Sequence, residues 1–118
     1  MPVYKEGNLE ETLVSNLSQF FLELGKDFAY VGRQQKMVIA GRTYKADFVF
    51  YHRIQKCFVL VDLKIGEVQH EDIGRMNFYL NYYKQEMNTE VDSDPIGLIL
   101  GAYQDKLVMQ YTLRNITN

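Results

Sequence analysis

Cysteine is almost absent from this sequence: Cys57 is the only one in 118 residues. A single thiol gives no disulfide framework and no zinc cluster, and it carries no sign of an oxidising compartment. Set in an apolar run, it reads as a small core hydrophobe. Histidine is scarce as well, with two in the chain. No apolar run is long enough to cross a bilayer, and residues 1–8 hold no hydrophobic signal segment, so the cytoplasm is the expected location and a membrane is not an expected partner. The charge lacks a basic excess: a net −2 gives no global argument for a nucleic-acid partner. Repeats, low-complexity tracts and linker-like stretches are also missing, and residues 1–118 read as one domain.

What is present is an ordinary globular composition, 47% apolar and 24% charged. A chain of this length buries roughly two-thirds of its unfolded surface, so it needs no covalent staples. Its charges are unevenly placed. Between Val31 and Lys56 stand six basic residues (Arg33, Lys36, Arg42, Lys45, Arg53 and Lys56) and one acid, Asp47, while both flanks are net acidic. Such a segment suits a phosphate-binding face. Lysines and arginines guarding a sheet edge are the simpler account.

Hydrophobic periodicity orders the chain. Residues 9–24 read as an amphipathic helix, with Leu9, Leu13, Val14, Leu17, Phe20, Phe21 and Leu24 on one stripe, Asn8 as N-cap and Gly25 as C-cap. The pattern then changes to that of strands over 35–40, a turn at Gly41-Arg42, and a further strand over 43–51. The run CFVLVDLKI, 57–65, is nearly all apolar, as a strand buried on both faces should be. A second helix is expected over about 70–87, a polar loop over 88–95 and a buried strand over 96–100. Residues 107–113 suit a short strand or the opening of a last helix. The order α-β-β-β-α-β predicts an α/β fold built around a mixed sheet.

Two charges sit in the apolar run. Asp62 and Lys64 are two residues apart and so project from the same strand face, which Phe58 and Leu60 mark as at least half buried. Burying them is costly unless they are paired, solvated by a cleft or bound to a metal. If 43–51 and 57–65 form a hairpin closed between Arg53 and Lys56, Asp47 falls directly opposite Asp62. Directly opposed residues have Cβ atoms about 4.5–5.5 Å apart. Two carboxylates at that separation require a compensating cation. Glu10 lies within the apolar stripe of the first helix, where it either caps backbone N–H groups or adds a third acid.

Clustered carboxylates with few histidines suit Mg²⁺ or Mn²⁺ rather than zinc. Such an ion bridges a phosphodiester oxygen and a water, and Lys64 beside it could position or deprotonate that water or neutralise developing charge. On spacing alone, a buried Asp62–Lys64–Asp47 charge cluster with no catalytic role explains the residues equally well.

The pattern D-(x14)-D-x-K, after a helix with Glu10 and before a long helix, resembles that of PD-(D/E)XK nucleases. More closely, the chain resembles the C-terminal nuclease domain of the YhcG-like family, through LEETL, FFLELG, FAYVGRQ, ADFVFYHR, VLVDLKIGE, GRMNFYLNYY and PIGLIL, in that order. The resemblance implies a restriction-endonuclease-like αβββαβ core, with a mixed sheet flanked by helices. It implies Mg²⁺-dependent cleavage of DNA, with Mn²⁺ as a second cation. Asp47 and Asp62 would be metal ligands, Lys64 the catalytic lysine and Glu10 the helix acid of the wider superfamily. Two departures stand out: Ala46 replaces the proline that often precedes the first aspartate, and Arg75 replaces a frequent glutamine. Family members usually carry a separate helical N-terminal domain.

Arg33 and Gln34 at the start of the first strand, His52 and Arg53 at the hairpin tip, and Arg75 are the candidate nucleic-acid contacts. His70 reads as a surface residue at a helix start. The second helix is apolar on two sides: Ile73, Met76, Leu80, Tyr83 and Met87 form one stripe, and Phe78 with Tyr82 another. The second stripe would suit a homodimer partner or the family's N-terminal domain. Three functions therefore remain in view: a DNA-cleaving nuclease, an inactive nuclease-fold module that binds nucleic acid or protein, and a dimerisation domain whose charges only set register.

Overall fold

The computed structural model describes residues 27–103 and 106–114, with side chains over 27–101. The helix expected over 9–24, and Glu10 with it, lie outside the described residues. Among the described residues five strands follow in chain order: β1 (Phe28–Ile39), β2 (Arg42–His52), β3 (Cys57–Ile65), β4 (Ile96–Tyr103) and β5 (Lys106–Arg114). A helix, α1 (His70–Tyr82), continues into a π-helical turn, Tyr83–Met87, between β3 and β4. The sheet runs β1-β2-β3-β4-β5. Only β3 and β4 are parallel; the other neighbours are antiparallel. A parallel pair needs a crossover, and α1 supplies it. The fold is α/β with a mixed sheet, as the periodicity predicts, and the tail resolves as a strand.

Turn chemistry sets the first hairpin. Ala40 and Gly41 both have positive φ (51° and 79°), the backbone of a primed two-residue turn. The turn thus falls one residue earlier than Gly41-Arg42, because a non-glycine, Ala40, takes one left-handed position. The second hairpin has the expected register, with Phe48 opposite Val61 and Val49 opposite Leu60. Its loop is longer than expected: His52 and Cys57 form the last pair, and 53–56 turn the chain with Lys56 at φ 54°.

Alternation along β3 explains its unbroken apolar run. Leu60 joins Met37, Ala46, Val49, Met76, Tyr79, Leu80, Tyr83 and Ile99 on the α1 side. Cys57, Val59 and Val61 join Phe48, Phe50, Leu98 and Leu100 on the other side. Both faces are buried, and Cys57 is a free, buried thiol.

In α1, Met76, Tyr79 and Leu80 are buried, as is Tyr83 just beyond it. Met87, expected in the same stripe, is 45% exposed. The π-helical turn adds a residue to the last turn, closed by Asn88 N donating to Tyr83 O at 2.8 Å, and rotates Met87 off the core. Phe78, on the opposite stripe, is also largely exposed but meets the ring of Tyr44 edge-on at 5.6 Å, so β2 of the same chain covers part of that face. No helix among the described residues is long and apolar enough to cross a membrane.

Gly97 lets α1 approach β4 closely. A Cβ there would stand 2.6 Å from Met76 Cγ and 2.7 Å from its Sδ. Gly97→Ala is expected to cost about 1–3 kcal/mol through overpacking, read as a lower midpoint in chemical denaturation. An unchanged midpoint would mean that the Met76 side chain moves aside freely.

Candidate active site

The β2–β3 ladder stops one residue short of the acids. Phe48 and Val61 are its last pair in that direction, and the next two residues, Asp47 and Asp62, pair through their side chains instead. Asp47 Oδ2 accepts from the backbone N–H of Leu63 at 2.8 Å, and Asp62 Oδ1 accepts from that of Asp47 at 3.3 Å. Each carboxylate thus has one oxygen tied to the other strand's backbone.

β1 is interrupted at the same level. Arg33 pairs with Phe48 and Gln35 with Ala46, leaving Gln34 and Asp47 out of the ladder. Gln34 has φ 53°, and its Nε2 donates to Asp47 Oδ1 at 3.2 Å. Consistent with a local break, Ala46 and Val49, three residues apart, both point to the α1 side, which strict alternation forbids.

Asp62 and Lys64 follow Leu60 on that side, under the start of α1. Lys64 Nζ lies 3.3 Å from Asp72 Oδ2 and 3.4 Å from Oδ1. Arg75 reaches the same carboxylate at 3.5 Å. Asp72 is only 6% exposed, and its Oδ2 also accepts from the backbone N–H of Gln69 at 2.8 Å, completing the first turn of α1. These groups line a cleft of about 140 Å³: Asp47, Asp62 and Lys64 from the sheet, and Asp72, Arg75 and Tyr79 from α1. Lys45, Leu63 and Ile99 complete its walls.

The cleft is electrostatically poised. Burial first, and then the charge of Asp47, push the Asp62 carboxyl up to about 7, against the opposing pull of the Asp47 N–H and Arg75. Near neutral pH the acid pair therefore keeps a proton for part of the time, and a cation would displace it. Burial and the same acids push Tyr79 up to about 12, so its hydroxyl keeps its proton. Burial alone would raise Asp72, but the Gln69 N–H and the Lys64 ammonium outweigh it and hold the carboxyl below its usual range.

Of the residues singled out from the sequence, the fold gathers Asp47, Asp62, Lys64 and Arg75 in one cleft and brings Gln34 against Asp47. Arg33 is exposed and lies in the middle of β1 rather than at its start, because the strand opens at Phe28. His52 and Arg53 are not brought there. They lie five and six residues along from Asp47, roughly 17–20 Å at the rise of a strand. His52 Nδ1 accepts from the backbone N–H of Gln55 at 3.0 Å, and Arg53 pairs with Asp27 at 3.2 Å. His70 is exposed at the start of α1.

Sequence reasoning missed Asp72, Tyr79 and Lys45 as cleft residues. An acid three residues after the N-cap Gln69 is a legible helix-start signal, but its reach to Lys64 depends on the crossover. Among the described residues no group of three His, Cys, Asp or Glu side chains stands close enough to hold a metal ion. Asp47 and Asp62 are the acid pair available to one.

Three comparisons bear on this geometry. A family model described as the YhcG PDDEXK nuclease domain matches residues 2–118. A protein of Escherichia coli (strain K12) named "Putative nuclease YhcG" is 41% identical over 115 residues, which are 98% of this chain and 31% of that protein. The chain thus spans about a third of the relative's length. The solved structure of SSO0001 aligns with 98% of this chain and 55% of its own, at a TM-score of 0.52 and 13% identity, a likeness of fold alone.

Proposed function

Since the chain belongs to the YhcG PDDEXK nuclease domain family, we propose that it hydrolyses phosphodiester bonds in DNA, using Mg²⁺ or Mn²⁺ held by Asp47 and Asp62, with Lys64 as the catalytic cation. The observation that carries this reading is the acid pair. Two carboxylates from adjacent strands meet in a cleft, one oxygen of each fixed by backbone N–H groups, and burial with mutual repulsion raises Asp62 to about 7.

That donor set fits a hard divalent cation. Both donors are carboxylate oxygens, and Mg²⁺ commonly takes one or two carboxylates and completes its shell with water and substrate phosphate. When bound, such an ion supplies positive charge to the phosphate and lowers the pKa of the attacking water.

The remaining steps belong to the chain's own groups. Leu63 N–H and Asp47 N–H hold the acids still, which limits reorganisation as charge builds up. Lys64 presents its ammonium from the same strand face as Asp62 and stabilises negative charge on the phosphate oxygens. Arg75, 48% exposed at the cleft rim, would receive a neighbouring phosphate. Water adds to phosphorus, one P–O ester bond breaks and the leaving oxygen takes up a proton, yielding a terminal phosphate and a hydroxyl. His52 and Arg53 are too distant to touch that phosphate and would meet one further along the strand.

Supercoiled, linear duplex, branched and single-stranded DNA, each incubated with Mg²⁺, with Mn²⁺ and with excess chelator, test this directly. Cleavage of at least one substrate that requires the ion is the expected result. Intact substrates under every condition would leave the inactive binding module as the better account.

A further inference from the structure

Lys64 and Asp62 lie two residues apart on one strand face, and Asp47 stands beside them. A lysine on a flexible four-carbon stem has every electrostatic reason to fold onto that acid pair and neutralise it. It does not: among the described residues, the carboxylate within ion-pair distance of Nζ is that of Asp72 on α1, eight residues further along. Helix capping alone does not account for Asp72. Its duty at the N-terminus of α1 is met by one oxygen accepting from Gln69 N–H, and an acid doing only that is normally solvated. Asp72 is instead buried, with two cations drawn onto it from the cleft. A buried carboxylate of this kind is tolerable only because it is paired.

We propose that Asp72 is a positioning residue that holds the Lys64 ammonium off the Asp47–Asp62 pair, keeping the pair available to a divalent cation while the ammonium stays within the cleft. The sheet provides the metal donors and the catalytic lysine on one strand, and the first turn of α1 keeps the two from neutralising each other. This inference rests on the nuclease reading for the identity of the cation. Two positive charges, the ammonium and the divalent ion, compete for one acid pair.

Calorimetric titration of Mn²⁺ into the full chain reads that competition without any cleavage. Asp72→Asn removes the charge but keeps an oxygen for Gln69 N–H; Asp72→Ser does the same in outline and serves if the first variant does not fold. The charge-free variant is expected to bind Mn²⁺ roughly tenfold more weakly, because Lys64 now falls onto the acids. Asp72→Glu should bind like wild type. The decisive protein is the double variant Asp72→Asn with Lys64→Met, in which the competitor is gone and affinity should return to the wild-type level.

Wild-type affinity in the single variant, or weakening that persists in the double variant, overturns the proposal while leaving the nuclease reading intact. A wild-type protein that binds no Mn²⁺ overturns both. On DNA, Asp72→Asn at saturating Mn²⁺ should lower kcat with little change in KM, and Asp72→Glu should recover it. A purely structural role would lower thermal stability and leave that split unmoved.

Discussion

Asp62→Asn is expected to abolish cleavage and, in metal-free protein at pH 8, to make the fold more stable. The loss follows from removing one of the two proposed metal donors. Charge stabilisation worth several kcal/mol, at a tenfold change for each 1.4 kcal/mol, corresponds to roughly a thousandfold or more in rate. The gain follows from the position of the carboxyl. Asp62 is pushed from its ordinary 3.8 to about 7 by burial and by Asp47, so it binds its proton more tightly in the fold than in the unfolded chain. Its contribution is therefore complete below the unfolded value and is lost as pH rises through 7, at most about 4 kcal/mol for a shift of this size.

Asp72 and Asp92 are shifted the other way. Their contributions change as pH falls below the ordinary carboxylate range, so among the described acids with a resolved shift it is Asp62 that titrates between pH 5 and 8. Thermal melts across that interval in chelator should show wild type losing stability and Asp62→Asn staying flat. Adding Mn²⁺ at pH 8 should raise the wild-type Tm and leave the variant unmoved. A variant less stable than wild type at pH 8 would mean that Asp62 is held by a partner rather than strained.

Lys64→Met is the second large effect. Removing a single cation that acts on the reacting phosphate costs on the order of a hundred- to a thousandfold in kcat. Mn²⁺ affinity should be retained, since methionine neither binds a hard cation nor competes for the acids. This sets Lys64 apart from Asp62, whose loss removes affinity and rate together. Among the described residues, the variant also leaves Arg75 as the cation paired with Asp72, beside the Gln69 N–H. Because Lys64 is about one-third exposed, the stability cost should be modest, about 1–2 kcal/mol. Cleavage within a fewfold of wild type would remove Lys64 from the chemistry.

The central strand was the most legible part of the molecule. A short apolar run rich in β-branched residues is the mark of an inner strand, and β3 spans the same residues that its composition marks out. Alternation then set which residues oppose one another, and Asp47 met Asp62 although the loop between the strands was longer than expected. β1 was legible only in its second half. Its first half includes a register shift between Tyr30 and Gly32 and leads to the left-handed Gln34, and such breaks erase the two-residue period on which strand reading depends.

Lys64's partner was illegible for a different reason. Asp72 reaches it only after the chain has turned at Gly66 and α1 has folded back over the sheet, a contact set by tertiary geometry rather than spacing. The same limit applies to Met87: helical spacing assigns it to the core stripe, and one π-helical turn removes it.

The proposed chemistry turns on one divalent ion shared by two strands. A crystal grown at or above neutral pH and soaked in Mn²⁺, with data collected to locate the ion by its anomalous scattering, tests this most directly. The prediction is a single strong peak in the cleft, at bonding distance from a carboxylate oxygen of Asp47 and one of Asp62, with the Lys64 ammonium still on Asp72. A peak elsewhere on the surface, or an acid pair bridged by the Lys64 ammonium with no ion between them, would contradict it.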